Sequence, residues 1–314
     1  MTTSKCVITI GSLSESIPSE GRLTTTHSND LQKEDLMNRL SVAIIVLLLT
    51  PSAWADTITF TVFESAGADS AAITPARDAF RAAVGGGTVA GANGSFGGIR
   101  REINWDGVPA GSSDPNLLNA DFFNVNSPRG VVFSTPGTGF LVSANAGGAT
   151  PILFGFPTDF QVFSPQKLFT AVNSNITDVS FFLPGTSTPA KTTAFAVVFL
   201  DVETAGSTKL EFFDDTNSLI FSRAALVAGN QGFSFLGATT ENGSISRVRI
   251  TSGVNTIQSN GVLGNPNDDI VVMDDFLYAE PGITQAVPEP SSLLLIVIGL
   301  SGLATLRKFH RWSV

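Results

Sequence analysis

"TAFAVVFLDVETAGSTKLEFFDDTNSLIF", residues 193–221, decides the fold. Three β-rich runs, 193–202, 209–213 and 219–221, are set off by short polar stretches, the last being Asp214-Asp215-Thr216-Asn217-Ser218, a turn-forming sequence. The same punctuation continues outward in both directions. Residues 57–63 (TITFTVF) alternate strictly, as a strand does. Residues 130–134 and 139–143 flank TPGT as a hairpin, and 179–183 end at Pro184-Gly185. Residues 232–236, 245–250 and 270–278 complete the set. Short strands with polar turns, and no repeat of fixed period, predict an all-β antiparallel sandwich or jelly roll. One short helix is expected near the start, over 74–84, with Thr74 as N-cap, Pro75 in the first turn and Gly85–Gly87 as the stop. The loop after it, GGGTVAGANGSFGG (85–98), has a GxGxxA spacing but follows a helix rather than a strand, so it reads as a flexible loop and not a nucleotide cradle. Residues 100–128 show weak periodicity and predict a long ordered loop.

The β-rich part is bracketed by two apolar segments. From Met37 the chain reads MNRLSVAIIVLLLTPSAWADTITF. Arg39 is a short positive region, 40–49 an apolar core, and Ala53 and Ala55 the small residues of a cleavage site, so 37–55 reads as a secretory signal peptide. Residues 1–36 are either a disordered leader or upstream sequence with Met37 as the initiator. At the other end, "AVPEPSSLLLIVIGLSGLATLRKFHR" (286–311) holds sixteen uncharged residues over 291–306. A transmembrane helix needs about 20 residues. Arg307, Lys308 and Arg311 can snorkel to extend the span, and their charge orients that end to the cytoplasm. The expectation is therefore a single C-terminal transmembrane helix within 286–312, and a β-sandwich ectodomain over 56–285, loop-rich over 56–128 and strand-rich over 129–280.

Composition restricts the chemistry. The body, 56–285, carries 11 Lys/Arg and 21 Asp/Glu, a net charge of −10. That disfavours nucleic acid, which rewards basic surfaces. Cys6, His27 and His310 all lie outside the body, which therefore has no Cys and no His. Ser-His-Asp and Cys-His catalysis, ordinary zinc sites, disulfides and haem ligation through His are excluded there. Such a body must be held by its apolar core, and 23 of the 24 Phe residues lie within it.

Val287-Pro288-Glu289-Pro290, a short apolar helix and a basic cluster, in that order, resemble the PEP-CTERM sorting signal of Gram-negative bacteria. The two prolines keep the motif extended and out of the following helix, open to a peptidase at the membrane face. The resemblance implies recognition of Pro288, Glu289 and Pro290 by an exosortase, a membrane peptidase. It also implies passage through the inner membrane to the cell surface or extracellular matrix, and an association with exopolysaccharide and biofilm. RREINWDG (100–107) and MDDFLY (273–278) resemble stretches of other PEP-CTERM ectodomains, which implies no particular activity.

Two constellations in the body could carry chemistry. Asp201, Asp214, Asp274 and Asp275 crowd the C-terminal half with Asp215, Asp268 and Asp269, and hard carboxylates suit calcium. Turn chemistry and solvated strand ends account for the same residues without a metal. Trp105, the body's only Trp, lies beside Asp106. It reads either as a sugar-stacking platform, with Asp106 as a hydroxyl partner, or as a plug packing the long loop onto the sandwich. A hydrolase using only carboxylates needs no histidine, and Glu102, Glu203, Glu211 and Glu241 are candidates that the sequence does not pair. The expected function is a non-enzymatic exported surface or matrix protein. Alternatives are a calcium-assisted carbohydrate-binding module and a carboxylate-based polysaccharide hydrolase.

Overall fold

The computed structural model describes residues 2–8, 58–144, 152–242, 244–258, 263–265 and 268–283. The signal peptide with Ala53 and Ala55, the motif Pro288, Glu289 and Pro290, the apolar tail and Arg307, Lys308 and Arg311 lie outside the described residues. Among the described residues no helix is long and apolar enough to cross a membrane.

Two antiparallel sheets carry the structure. The larger contains β1 (Thr2–Ile8), β2 (Ile58–Gly67), β12 (Phe233–Thr240), β9 (Ala194–Leu200), β14 (Val272–Ala279), β4 (Arg100–Ile103) and β3 (Ser95–Phe96), in that spatial order. β7 (Phe169–Val172) attaches to β14, and β6 (Gly139–Val142) to β7. The smaller sheet runs β11 (Leu219–Ala224), β10 (Lys209–Phe213), β13 (Arg247–Thr251), β8 (Ile176–Phe181), β5 (Val131–Ser134). The expected antiparallel sandwich is what forms.

The opening stretch shows why. Along β10 burial alternates, because only one face of the small sheet is covered. Along β9 all seven residues are buried. Phe195, Val197 and Phe199 face the small sheet, whereas Ala194, Ala196, Val198 and Leu200 face a second apolar layer on the far side. A strand covered on both faces has no polar positions to alternate, hence the unbroken AFAVVFL run. The inter-sheet core is aromatic. Phe60 of β2 lies 4.9 Å from Phe221 and 6.0 Å from Phe212, and Phe181 meets Phe195 and Tyr278 at 6.1 and 6.0 Å. Each such ring contributes about 1.5–3 kcal/mol on leaving water, the source of stability a body without disulfides must use.

The second layer is built by helix α1 (Ser70–Val84), which presses Ile73, Ala76 and Phe80 onto β2 and β12. Phe80 packs edge-on against Phe63 and Phe235. The helix begins four residues before the expected start. Its N-cap is Asp69, whose carboxylate accepts the Ala72 N–H at 3.0 Å. Pro75 is inside the helix and Thr74 donates its hydroxyl back to the Ser70 carbonyl, so Thr74-Pro75 is not the helix start.

Two other expectations are corrected. The 130–134 and 139–143 runs do not form a hairpin, because β5 joins the small sheet and β6 the large one. The intervening turn is pulled onto β7: Thr138 donates to the Val172 carbonyl, and a Cβ on Gly137 would stand 2.0 Å from that oxygen. The 100–128 segment is not all loop. It opens with β4, paired to β14, and contains the single-turn helix α2 (Phe122–Val125).

The outer face of the small sheet carries a charge ladder. Asp178 of β8 lies opposite Arg249 of β13, and Arg249 lies opposite Glu211 of β10. Asp178 takes ion pairs from Arg247 at 2.6 Å and Arg249 at 2.8 Å.

Candidate functional site

β14 is interrupted where its two carboxylates stand. Met273 pairs with Phe199 and Phe276 with Val197, so three steps along β14 match two along β9. The extra residue is a β-bulge, a device that re-aims side chains. It restores Phe276 to the same core face as Met273 and brings Asp274 and Asp275 to a common partner. Ser164, in the loop before β7, has its Oγ 2.9 Å from Asp274 Oδ1 and 2.8 Å from Asp275 Oδ1. The backbone N–H groups of Phe163 and Ser164 donate to Asp274 Oδ2 at 2.7 and 3.2 Å.

A serine hydroxyl owns one proton and cannot donate to two carboxylates at once. The pair is therefore short of donors, a setting that favours a proton on one of the two carboxyls. Burial, reinforced by the charge of Asp275, holds Asp274 well above the usual carboxylate range. Burial also raises Asp275, against the opposing pull of the Ser164 hydroxyl. The pair is an acid that keeps a proton where an exposed carboxylate would have lost it, the property of a general acid or base.

Above the pair lies a cleft of about 590 Å³, to which Asp275 and Ser164 contribute. A neighbouring cleft of about 570 Å³ shares its Arg81, Ala90 and Phe96 walls. α1 supplies Arg77 and Arg81, and β4 supplies Arg100 and Glu102. Arg81 grips Glu102 with two bonds of 2.8 and 2.5 Å, and Arg100 bonds the same carboxylate at 2.7 Å. Arg100 also donates to the carbonyls of Gly85 and, at 3.1 Å, Gly87. The glycine-rich loop expected to be free is thus tied to the sheet by one buried guanidinium. Arg129 enters from the far wall, donates to the Glu102 carbonyl and lies 5.1 Å over the Phe123 ring. Gly94 makes room for it: with φ +63°, a Cβ there would sit 2.3 Å from the Glu102 oxygen and 2.5 Å from the guanidinium.

Trp105 supports the pair from below. Its Nε1–H donates to the Asp274 carbonyl at 2.6 Å, its ring stacks on Phe169 at 4.0 Å, and Phe123 and Phe276 meet it edge-on. At 1 % exposure it offers no face to a sugar. The stacking-platform reading is corrected to the plug, because the indole fills the core under β14. Asp106 does not reach a ligand either; its carboxylate takes the backbone N–H groups of Gln166 and Lys167, shaping the loop that carries Ser164. Burial raises its pKa, offset by those bonds.

The remaining carboxylates offered for calcium are scattered. Asp201, just past β9, accepts the Gln231 N–H at 2.7 Å. Burial pushes its pKa to about 7, against that bond and with the charges of Glu203, Asp159 and Asp269 adding to the rise. Asp214 closes its own turn, accepting from the Thr216 and Ser218 N–H groups at 2.9 Å. Only Asp274 and Asp275 are brought together, and among the described residues no three acidic, His or Cys side chains gather into a set that could hold a metal ion. Ser164, Arg81 and Arg129 escaped the sequence reading. Ser164 meets its partners across 110 residues of chain, and the one signal pointing to it was an acidic pair inside an apolar strand, which demands a buried partner from somewhere.

No curated protein matches the chain. Residues 286–308 match the family model described as the PEP-CTERM protein-sorting motif, a signal that marks a protein for export and exosortase-dependent sorting to the cell surface. The chain thus carries a PEP-CTERM sorting motif at 286–308.

Proposed function

We propose that this is a non-enzymatic surface or extracellular-matrix protein: exported by its signal peptide, held at the inner membrane by its apolar tail, processed there by an exosortase and displayed in an exopolysaccharide layer. The observation that carries the proposal is the sorting motif at 286–308 joined to a two-sheet β domain. A body without Cys or His supports it, since the common nucleophile and metal chemistries have no residues to use. The carboxylates offered for calcium are committed to local donors, so the proposal is made without a metal. Mass spectrometry of the C-terminus from the native host tests it. A mature chain ending near Pro290 is expected; a tail still attached in the mature protein overturns the processing step. Retardation of the chain in a gel containing the host's own polysaccharide tests the destination.

The buried acidic pair beside an open cleft favours one second reading, a carboxylate-based polysaccharide hydrolase with Asp275 as the acid. New reducing ends released from that polysaccharide, and lost in Asp275→Asn, would establish it in place of the first.

A further inference from the structure

The two adjoining clefts reverse the charge of the molecule around them. Four guanidiniums, of Arg77, Arg81, Arg100 and Arg129, meet three carboxyls, of Asp78, Glu102 and Asp275, in a body of net charge −10. Three of the cations are answered. Arg77 pairs with Asp78 at 2.8 Å, and Arg81 and Arg100 share Glu102. Arg129 is different: among the described residues its polar contacts are the Ser127 hydroxyl and the Glu102 carbonyl, with no carboxylate among them. Its charge is half-buried and uncompensated at the wall of the larger cleft. Burying an unpaired charge is costly unless something arrives to pair with it.

The rest of that cleft limits what can arrive. Its polar lining beyond the charges is neutral, the amides of Asn93 and Asn104 and the hydroxyl of Ser164, and its apolar lining includes Phe96, Phe163 and Pro165. A dianion such as phosphate needs several converging free donors, and one uncompensated guanidinium is too few. A single carboxylate carried on a ring with hydroxyl edges and apolar faces suits one cation, two amides and a phenyl wall. The volume, about 590 Å³, falls in the range of small-ligand sites.

We propose that this cleft binds a carboxylate-bearing sugar, a uronic acid or a short uronate oligomer, with its carboxylate on Arg129 and its hydroxyls toward Asn104 and Ser164. The proposal deepens the surface-protein reading by naming a ligand class, but it stands whether or not the tail is processed. A failure of binding and a failure of processing are therefore read separately.

Calorimetric titration of the purified chain, in detergent where its tail requires it, tests the assignment. The probes are trigalacturonate, glucuronate, neutral maltotriose and inorganic phosphate. Uronate binding is expected to fall as salt rises, and to weaken by about tenfold or more in Arg129→Gln, the loss of one charge-assisted contact. Maltotriose and phosphate are expected to give no comparable heat. If Arg129→Gln does not fold, Arg77→Gln replaces it, the guanidinium lost being the one that lies 5.1 Å over the Phe163 ring in the cleft wall, with a smaller loss of uronate affinity expected. No uronate binding, equal affinity in wild type and a folded variant, or phosphate binding as tightly as uronate would each overturn the proposal, the last by showing a general anion patch.

Discussion

Asp178 and the Asp274–Asp275 pair are both buried acids on β-strands, and the fold treats them in opposite ways. Asp178 stands on the outer face of the small sheet between Arg247 and Arg249, a charge set in a ladder of opposite charges. Asp274 and Asp275 stand in the large sheet and are answered by a hydroxyl, two backbone N–H groups and each other. Two guanidiniums meet Asp178 with opposite charge, whereas one hydroxyl serves both Asp274 and Asp275, and burial raises the pKa of each. Perturbed acids at a cleft are where function is to be sought, so the difference in partners separates a structural acid from a candidate working one.

Three experiments break or sharpen that contrast. The largest effect is expected from Trp105→Ala, which removes the aromatic support under Asp274 and its 2.6 Å bond. Truncating a fully buried aromatic costs about 3–5 kcal/mol, so chemical denaturation should show a loss of that size. A loss under 1 kcal/mol would mean that the acidic pair does not rest on the aromatic layer.

The second pits the two acids against each other. Asp178→Asn strands two arginines, one of them 39 % exposed, and should cost about 1–2 kcal/mol, less than a fully buried pair would lose. Asp274→Asn should do the reverse at pH 8. Its amide oxygen can still accept from Phe163 and Ser164 while its NH₂ donates to the Ser164 hydroxyl, reproducing the protonated acid and removing a repulsion. Equal losses in the two variants, measured by urea denaturation, would end the distinction.

The smallest effect is in pH. Asp201, Asp274 and Asp275 bind protons more tightly folded than unfolded. The folded state therefore holds more protons between the unfolded pKa near 4 and the folded pKa, about 7 for Asp201, and stability falls as pH rises through that window. The melting temperature should be higher at pH 6 than at pH 8. Asp201→Asn, which keeps the Gln231 bond and tolerates the φ of +71°, should flatten part of that slope. An unchanged slope would remove Asp201 from the account.

How much of this was legible in the chain depends on how local its cause is. The strand runs at 193–202 and 209–213 were readable because each carries its burial pattern in its own residues. The helix start was misread because Thr74-Pro75 is a sound local start signal, while Asp69, the cap in use, lies outside any apolar periodicity. The false hairpin failed on a contact 35 residues away, between Gly137 and the Val172 carbonyl. For the site, Asp274 and Asp275 were visible as a pair, but Ser164, Arg81 and Arg129 meet them only through the packing of α1, β4 and a loop. Trp105 was open to two readings, because one sequence does not say which side of a sheet an indole enters.

The bulge at Asp274–Asp275 also sets the way this site can change over time. Deleting one of the two acids would make β14 match β9 residue for residue and leave Met273, Phe276 and Tyr278 on the inter-sheet face, so the core would be kept while the pair was lost. Loss of the pair by shortening is thus open to a lineage that keeps the sandwich, as is replacement in place. Related chains that have lost one acid by deletion should show an unbroken strand at this point, with the aromatic residues after it still facing the small sheet.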